Sequence, residues 1–279
     1  MLSIDVQTRG RFGNKVFHFN NLMQLSNLLE QPVCCDNWNG YGYFERICPV
    51  TQTGSTSEYS EIDLNDLCDL SVDKLREKYS SGNWKLHTLS LHGPFHRLTA
   101  VDPRNFFIFN KKSEIDPRVF AVGIHIRGGD TRGADGMNGR EIHDPSYYIQ
   151  AIEYVLSTYK DKNIVFFLCT DDPDEKYPSY QKTVDYLKLN NLPMYHKRDA
   201  SYIEDFCILS QCDILISGSS TFALAAGFVG KEKKIIHSEK FVNQFRDSEE
   251  KWYSNFRNGL FFKDLLDKPN KYYPLLKLI

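Results

Sequence analysis

The second half of the chain alternates between short apolar runs and segments with helical periodicity. Residues 119–126 (VFAVGIHI) and 163–170 (NIVFFLCT) are β-rich apolar runs, and residues 147–160 between them repeat apolar side chains every three or four positions. The same alternation predicts a helix at 179–189, a weak strand at 193–196, a helix at 203–212, a strand at 213–217, a helix at 221–229 and a last strand at 234–237. Continuous apolar strands separated by helices predict an α/β fold with a doubly wound parallel sheet.

The first part of the chain is less regular. It contains an amphipathic helix at 16–29, after a glycine-containing turn, and two stretches that are typical of loops, 36–47 (DNWNGYGYFERI) and 51–63 (TQTGSTSEYSEID). Residues 102–118 hold two prolines and are the predicted connector. We therefore predict two domains, 1–117 and 118–265, followed by an aromatic C-terminal segment, 266–279.

Composition narrows the possible partners. The chain has 279 residues, of which 41% are hydrophobic and 25% charged, and its formal net charge is −2. No global positive field can gather a nucleic acid or an anionic membrane, so an anionic ligand must be held by a local site. No apolar run approaches the roughly 18 residues of a membrane span, and acidic and basic residues come too early for a signal peptide. We expect a cytoplasmic chain without a transmembrane segment.

The seven cysteines are scattered, and several lie in apolar runs. This distribution is typical of reduced, buried thiols in a reducing compartment. No pair has C-x-x-C spacing, so a structural zinc site is not expected. A P-loop is also excluded near Gly230, because Ala225 stands where the motif needs glycine and Glu232 replaces its hydroxyl residue.

The segment GIHIRGGD ends the first strand of the predicted α/β domain, where open parallel sheets bind ligands. Alternation along the strand puts His125 and Arg127 on one face. The guanidinium of Arg127 is a fork-shaped donor suited to phosphate, and Gly128-Gly129 leaves room for a ligand near the backbone. The alternative interpretation is a surface arginine at a strand end beside a packed histidine.

A second segment, DILISGSSTFALAAG, contains a strand, a hydroxyl-rich turn and the start of a helix. The N–H groups of Ser220, Thr221 and Phe222 are expected at the helix N-terminus, where an anion is favoured. Ordinary N-capping by Ser219 or Ser220 explains the same residues without a ligand.

Two further segments carry candidate chemistry. In CTDDPDE, Asp172 and Asp174 follow a strand, either as a D-x-D site for a divalent cation or as a solvated Asp-Pro turn. GRFGN, which ends at Asn14, lies between a short strand and a helix, and is either a tight turn that a ligand approaches or a turn only.

In this order the segments resemble the fucosyltransferases with the GT-B fold, in particular the alpha-1,2-fucosyltransferase family. That family has Gly-x-Leu-Gly-Asn-x-Met-Phe, His-x-Arg-Arg-Gly-Asp, Ser-Asp-Asp, and Asp-Phe-x-x-Met-x-x-Cys followed by Ser-Ser-Phe-x-x-x-Ala-Ala. The chain has GRFGNKVF, HIRGGD, TDDPDE, DFCILSQC and SSTFALAAG at the corresponding places, and HDPSYYIQAIEYV resembles the helix after the central motif. GRFGN is also similar to the protein O-fucosyltransferases.

The resemblance implies a GT-B fold of two facing Rossmann-like domains, acceptor side first and GDP-sugar side second, with the aromatic segment 266–279 packing back on the first domain. It implies an inverting transfer of fucose from GDP-fucose to a glycan hydroxyl, with alpha-1,2 linkage to galactose, and with neither a cofactor nor a metal. A protein O-fucosyltransferase-like enzyme and a non-catalytic sugar-nucleotide or glycan-binding module are the alternatives. The implied donor-binding residues are Gly13, Asn14, His125, Arg127, Asp171, Asp172, Ser219, Ser220, Thr221 and Phe222.

The implied catalytic residues are Arg127, Asn14 and Asp135. Arg127 would hold the diphosphate, and Asn14 would face the reaction centre. Asp135 stands where some related enzymes have a general base, and it is equally explained as a residue of a glycine-rich loop. The chain departs from the family at Gly128, which replaces the second arginine of the central motif, and after SSTF, where Gly-Phe-Val replaces a tryptophan-rich helix. Trp38, Tyr41, Tyr43 and Phe44 are candidates for sugar stacking or for the core.

Overall fold

Two compact units make up the structure, one from the described residues up to 110 and one from those starting at 115. The computed structural model describes residues 2–5, 11–36, 38–45, 60–63, 72–87, 106–110, 115–128, 145–171, 178–196, 200–218, 220–230, 234–237 and 276–278. Within these ranges no helix is both long and apolar enough to cross a membrane.

A four-stranded parallel sheet forms the centre of the first unit. Its elements are β1 (Leu2–Asp5), α1 (Phe12–Leu29), β2 (Val33–Asp36), a 3-10 helix (Asn39–Gly42), β3 (Ser60–Asp63), α2 (Val72–Tyr79) and β4 (Trp84–His87). The strand order is β2-β1-β4-β3. In β1, Leu2 lies opposite Val33 on one side and Trp84 on the other.

Helix α1 begins at Phe12, four residues before the predicted start. Every described side chain from Val16 to Leu25 is buried, including three polar ones, His18, Asn20 and Gln24. The Gln24 amide donates to the Asn20 side-chain oxygen at 3.4 Å, which partly satisfies this buried pair. The GRFGN segment therefore ends inside the first turn of a helix instead of forming a turn before one.

The prediction of loops at 36–47 and 51–63 is wrong for two segments, Asn39–Gly42 and Ser60–Asp63. Ser60–Asp63 is mostly polar and only four residues long, so it carries little local signal, and it is held by pairing with β4, more than twenty residues away. Trp38 and Phe44 belong to the core: the Trp38 ring stacks on Phe19 at 4.0 Å, and its stacked distance to Phe44 is 5.6 Å.

The second unit is a six-stranded parallel sheet with helices between its strands. Its elements are β5 (Phe120–Ile126), α3 (Pro145–Thr158), β6 (Ile164–Thr170), α4 (Pro178–Leu189), β7 (Met194–Tyr195), α5 (Tyr202–Gln211), β8 (Ile214–Ser217), α6 (Thr221–Val229), β9 (Lys234–His237) and β10 (Leu276–Leu278). The strand order is β10-β9-β8-β5-β6-β7, with every pairing parallel. The prediction of an α/β fold with a doubly wound parallel sheet is confirmed.

Helices cover both faces of this sheet, which explains why its strands are continuous apolar runs. Ile124 of β5 belongs to a buried cluster with Tyr148 of α3 and Val184 of α4. The residues on either side of Ile124 in the strand face the other way. A Cβ on Gly123, for example, would lie 2.9 Å from the Leu209 side chain of α5. The pattern of period two thus separates the α3–α4 layer from the α5–α6 layer.

The described cysteines are free thiols, and four of the five are buried: Cys34, Cys35, Cys169 and Cys212 are buried, and Cys207 is half-buried. Cys48 and Cys68 lie outside the described residues.

Of the C-terminal segment 266–279 the structure describes only Leu276–Leu278, which extends the second unit's sheet by pairing with β9. Where the sequence predicted packing on the first domain, this part of the segment lies in the second unit.

Gly230 allows α5 and α6 to approach each other closely. It directly follows α6, and a Cβ at this position would collide with the backbone carbonyl of Ser210 in α5. Because a backbone carbonyl cannot rotate away as a flexible side chain can, the contact requires glycine for space.

We expect Gly230→Ala to lower the free energy of unfolding by about 1–3 kcal/mol, the usual cost of overpacking a dense interior. Thermal melting of the ligand-free protein measures the effect. Gly42→Ala is the matched control, because a Cβ there meets nothing within 4 Å. Equal melting temperatures for the two variants would contradict the assignment.

Candidate functional site

The strand order of the second unit has one reversal, and it lies between β5 and β8. From β5 the chain proceeds outward through β6 to β7, then crosses back to β8 on the other side of β5 and continues to β9. In open parallel sheets, the connections on the two sides of such a reversal leave a crevice at the carboxyl ends of the strands, and ligands bind there. The candidate site is therefore the end of β5 and β8.

His125 is next to last in β5 and is only 4% exposed. The pKa of His125 is lowered to about 4, chiefly by burial; the carboxylate of Asp171 acts in the opposite direction, and the positive charge of Arg127 adds to the lowering. The imidazole is therefore neutral at neutral pH. Its Nδ1 is buried and has no hydrogen-bond partner among the described residues.

Asp171, directly after β6, fixes the chain that leaves β5. A carboxylate oxygen of Asp171 accepts a hydrogen bond from the N–H of Gly128 at 2.6 Å. Charge-assisted bonds of this kind are stronger than neutral ones. The loop that carries the half-buried Arg127 is thereby tied to the neighbouring strand, and the charges of Arg127 and Asp171 both act on His125.

On the other side of the crevice, β8 leads into α6 through a tight turn. The N–H of Gly218 donates to the His125 carbonyl at 3.1 Å, and the N–H of Ser220 donates to the Gly218 carbonyl at 2.7 Å. Ser220 is the N-cap of α6, and its Oγ accepts from the N–H of Phe222 at 3.2 Å. The Phe222 ring packs 5.3 Å from the His125 ring.

This turn corrects the expectation that three N–H groups are exposed at the start of α6. Those of Ser220 and Phe222 bond within the turn, so of the three only the Thr221 N–H has no partner among the described residues. The candidate donors to an anion are consequently this N–H, the hydroxyls of Ser220 and Thr221, and the Arg127 guanidinium, together with the positive end of the helix dipole.

The sequence-predicted residues divide into three groups. The second unit brings His125, Arg127, Asp171, Ser220, Thr221 and Phe222 to one edge of its sheet. Gly13 and Asn14 lie in the first turn of α1, in the first unit, where the Asn14 side-chain oxygen is buried and without a hydrogen-bond partner among the described residues. Asp135, Asp172 and Ser219 lie outside the described residues.

Residue-by-residue reasoning missed Gly218 and the link from Asp171 to Gly128. A glycine between a strand and a hydroxyl-rich turn is a weak signal, and a bond between a carboxylate and a backbone N–H 43 residues earlier leaves none in the sequence.

Cys169 lies opposite His125 in the register of β5 and β6. Burial raises the pKa of the Cys169 thiol well above its ordinary value, so the thiol stays protonated. The pair therefore cannot supply a thiolate nucleophile. Nor do three His, Cys, Asp or Glu side chains come together as a metal site would require, anywhere in the described part of the chain.

No protein-family model matches this chain, and neither does any curated protein sequence. Solved structures do. The crystal structure of NodZ alpha-1,6-fucosyltransferase soaked with GDP-fucose is 14% identical over 85% of this chain and 94% of that chain, with a TM-score of 0.51. The structure of POFUT1 in complex with GDP is 12% identical over 83% of this chain and 96% of that chain, with a TM-score of 0.53.

These similarities concern the fold. The chain has the GT-B fold of the fucosyltransferases, as its motifs predicted.

The buried His125 has a consequence for stability. Its pKa is about 4 in the folded chain against 6.5 when solvated, so between these values the unfolded chain binds more protons than the folded chain. Stability from the neutral imidazole is complete above pH 6.5 and falls as the pH drops toward 4.

We expect the free energy of unfolding to fall by roughly 3 kcal/mol more in the wild type than in His125→Gln between pH 6.5 and 4, at about 1.36 kcal/mol for each pKa unit. Melting temperatures measured at half-unit steps of pH test this. Parallel curves for the two proteins would show that His125 does not titrate as a buried neutral group.

Proposed function

We propose that this chain is a glycosyltransferase that transfers fucose from GDP-fucose to a hydroxyl of a glycan acceptor. The observation that carries the proposal is the crevice between β5 and β8, where Arg127 and the start of α6 lie at the reversal point of the second sheet. The fold shared with crystal structures that contain GDP-fucose or GDP supports it. On this proposal, residues 118–265 bind the sugar nucleotide and residues 1–117 form the acceptor side.

The chemistry of the crevice suits a diphosphate leaving group. As the bond between fucose and GDP breaks, negative charge grows on the diphosphate oxygens. The Arg127 guanidinium, the Thr221 N–H and the hydroxyls of Ser220 and Thr221 are donors that stabilise this charge more strongly in the transition state than in the ground state. With these donors, the proposed reaction is metal-independent.

Asp171 and His125 suit the nucleoside part of the donor better than its phosphates. A carboxylate repels a diphosphate, but the carboxylate of Asp171 can accept from a ribose hydroxyl or a guanine N–H while it holds the Gly128 N–H. The neutral His125 adds an unused ring nitrogen to the same region. Ser219, Asp172 and Phe222 complete the proposed donor-binding residues of the second unit, and the motif resemblance adds Gly13 and Asn14 to the list.

The proposed mechanism is inverting, with Asp135 as the general base that removes the acceptor proton and Asn14 at the reaction centre. For the acceptor we propose a galactose-terminated glycan and an alpha-1,2 linkage, supported by the order of the sequence motifs alone. A protein O-fucosyltransferase-like enzyme is the second candidate, and the GRFGN segment at the start of α1 favours it.

We expect isothermal calorimetry to show tighter binding of GDP than of UDP or NAD, and fucose transfer from GDP-fucose to proceed in excess EDTA over a panel of glycan and protein acceptors. Tighter binding of UDP or NAD would overturn the proposed donor. GDP binding without transfer or hydrolysis would identify a non-catalytic binding module, and activity that EDTA removes and Mn²⁺ restores would identify a metal-dependent enzyme.

We expect Arg127→Ala to lower turnover by about 100-fold or more, because it removes a charge-assisted contact that strengthens in the transition state. Arg127→Lys should restore little, since an ammonium lacks the planar fork. The melting temperature of ligand-free Arg127→Ala should stay near the wild-type value, and most of the stabilisation by GDP should be lost.

Arg118→Ala is the matched control for Arg127→Ala. Arg118 is an arginine of the same unit whose side chain is 87% exposed and pairs with Asp116. Its variant should keep wild-type turnover, so a similar loss in both variants, or normal transfer by Arg127→Ala, would refute the role of Arg127.

A further inference from the structure

The hydroxyl of Tyr147 lies across the carboxyl ends of β8 and β9. Tyr147 is in the first turn of α3, and its side chain is buried. The hydroxyl oxygen is 2.8 Å from the Ser217 carbonyl oxygen and 3.0 Å from the Ile236 carbonyl oxygen. Burial raises the pKa of Tyr147 well above its ordinary value, so the hydroxyl keeps its single proton and donates it to these carbonyls.

Ser217 is the last residue of β8, and the turn to α6 starts from it. The carbonyl of the next residue, Gly218, accepts from Ser217 Oγ at 2.8 Å and from the Ser220 N–H at 2.7 Å. Both carbonyls at the beginning of the turn are thus engaged by donors. A carbonyl oxygen carries partial negative charge, and without a donor it would repel an anion bound beside it. Hydrogen bonds to both carbonyl oxygens reduce this repulsion and so favour an anion at the turn.

We propose that Tyr147 is a positioning residue for the diphosphate site, and that its hydroxyl holds Ser217 and Gly218, which lead into α6, in the conformation that presents Ser220 and Thr221 to the diphosphate. The inference rests on the proposed function, since the anion is taken to be the diphosphate of the sugar nucleotide. Tyr147 touches neither ligand nor reacting atoms in this role and acts through Ser217.

A role limited to stability differs measurably from a positioning role. Guanosine shares the nucleoside of GDP but lacks its diphosphate. A displaced turn weakens the binding of GDP and leaves the binding of guanosine unchanged. A general loosening of the unit weakens the binding of both ligands or of neither.

The test is calorimetry of GDP and guanosine on full-length Tyr147→Phe, which keeps the ring and removes the hydroxyl. We expect the Kd of GDP to rise roughly tenfold, as the loss of one buried hydrogen bond implies, and the Kd of guanosine to stay within about twofold. Tyr180→Phe is the matched control: Tyr180 is also buried, but its hydroxyl lies 2.7 Å from Nδ1 of His196, near β7. It should change neither affinity.

Unchanged GDP affinity in Tyr147→Phe, or an equal loss for GDP and guanosine, would overturn the inference. If Tyr147→Phe does not fold, Ser217→Ala replaces it, because it removes a donor from the next carbonyl of the same turn. A severalfold loss specific to GDP supports the inference, and no loss overturns it.

The two proposals fail separately. If the wild type prefers UDP, the GDP-fucose proposal fails, while a UDP-specific loss relative to uridine in Tyr147→Phe still supports the role of Tyr147. If Tyr147→Phe binds GDP as the wild type does, the positioning role fails and the proposed function stands. A wild type that binds no nucleoside diphosphate overturns both.

Discussion

The parallel pairing of β5 with β8 is the contact on which the candidate site depends. Their register places His125 level with Ser217, so the two strands end at the same edge of the sheet. The Gly218 N–H then bonds to the His125 carbonyl, which continues the pairing one step beyond β8. Because the connections on the two sides run in opposite directions, this is where side chains from two separate parts of the chain can surround a ligand.

Burial keeps His125 uncharged, so the charged side chains of the crevice are Arg127 and Asp171. His125 contributes no charge at neutral pH because the cost of desolvation exceeds the attraction of Asp171. Arg127 then supplies the positive charge and Asp171 the negative charge beside it, with a backbone N–H as the partner of Asp171. As a leaving group gains negative charge, its attraction to the Arg127 guanidinium grows. This attraction is the electrostatic basis of the proposed chemistry.

Close packing beneath the crevice holds its elements in place. Gly123 lets α5 approach the sheet, and Gly230 lets the end of α6 meet the Ser210 carbonyl. The Phe222 ring packs against the rings of His125 and Phe206, with ring centroids 5.3 Å apart in each pair. The start of α6 is therefore fixed both by hydrogen bonds in the turn and by the layer of side chains below it.

The apolar runs of the second unit determined its strands and helices, because strands buried on both faces must be apolar throughout and the helices between them need a repeating buried face. The same runs located candidate site residues, because Arg127 and Ser220 come shortly after the ends of predicted strands. In the first unit, Ser60–Asp63 escaped prediction because a four-residue polar strand depends on hydrogen bonds to β4, which no local pattern encodes.

Tertiary structure alone decided which strand ends are neighbours. Nothing local indicates that β8 pairs with β5 across more than eighty residues, that Asp171 bonds to Gly128, or that Tyr147 reaches Ser217. Sequence periodicity reports which side of an element is buried, but not what it is buried against. The chain thus determined by itself which residues could bind an anion, and the packing of the sheet decided which of their donors remain available to do so.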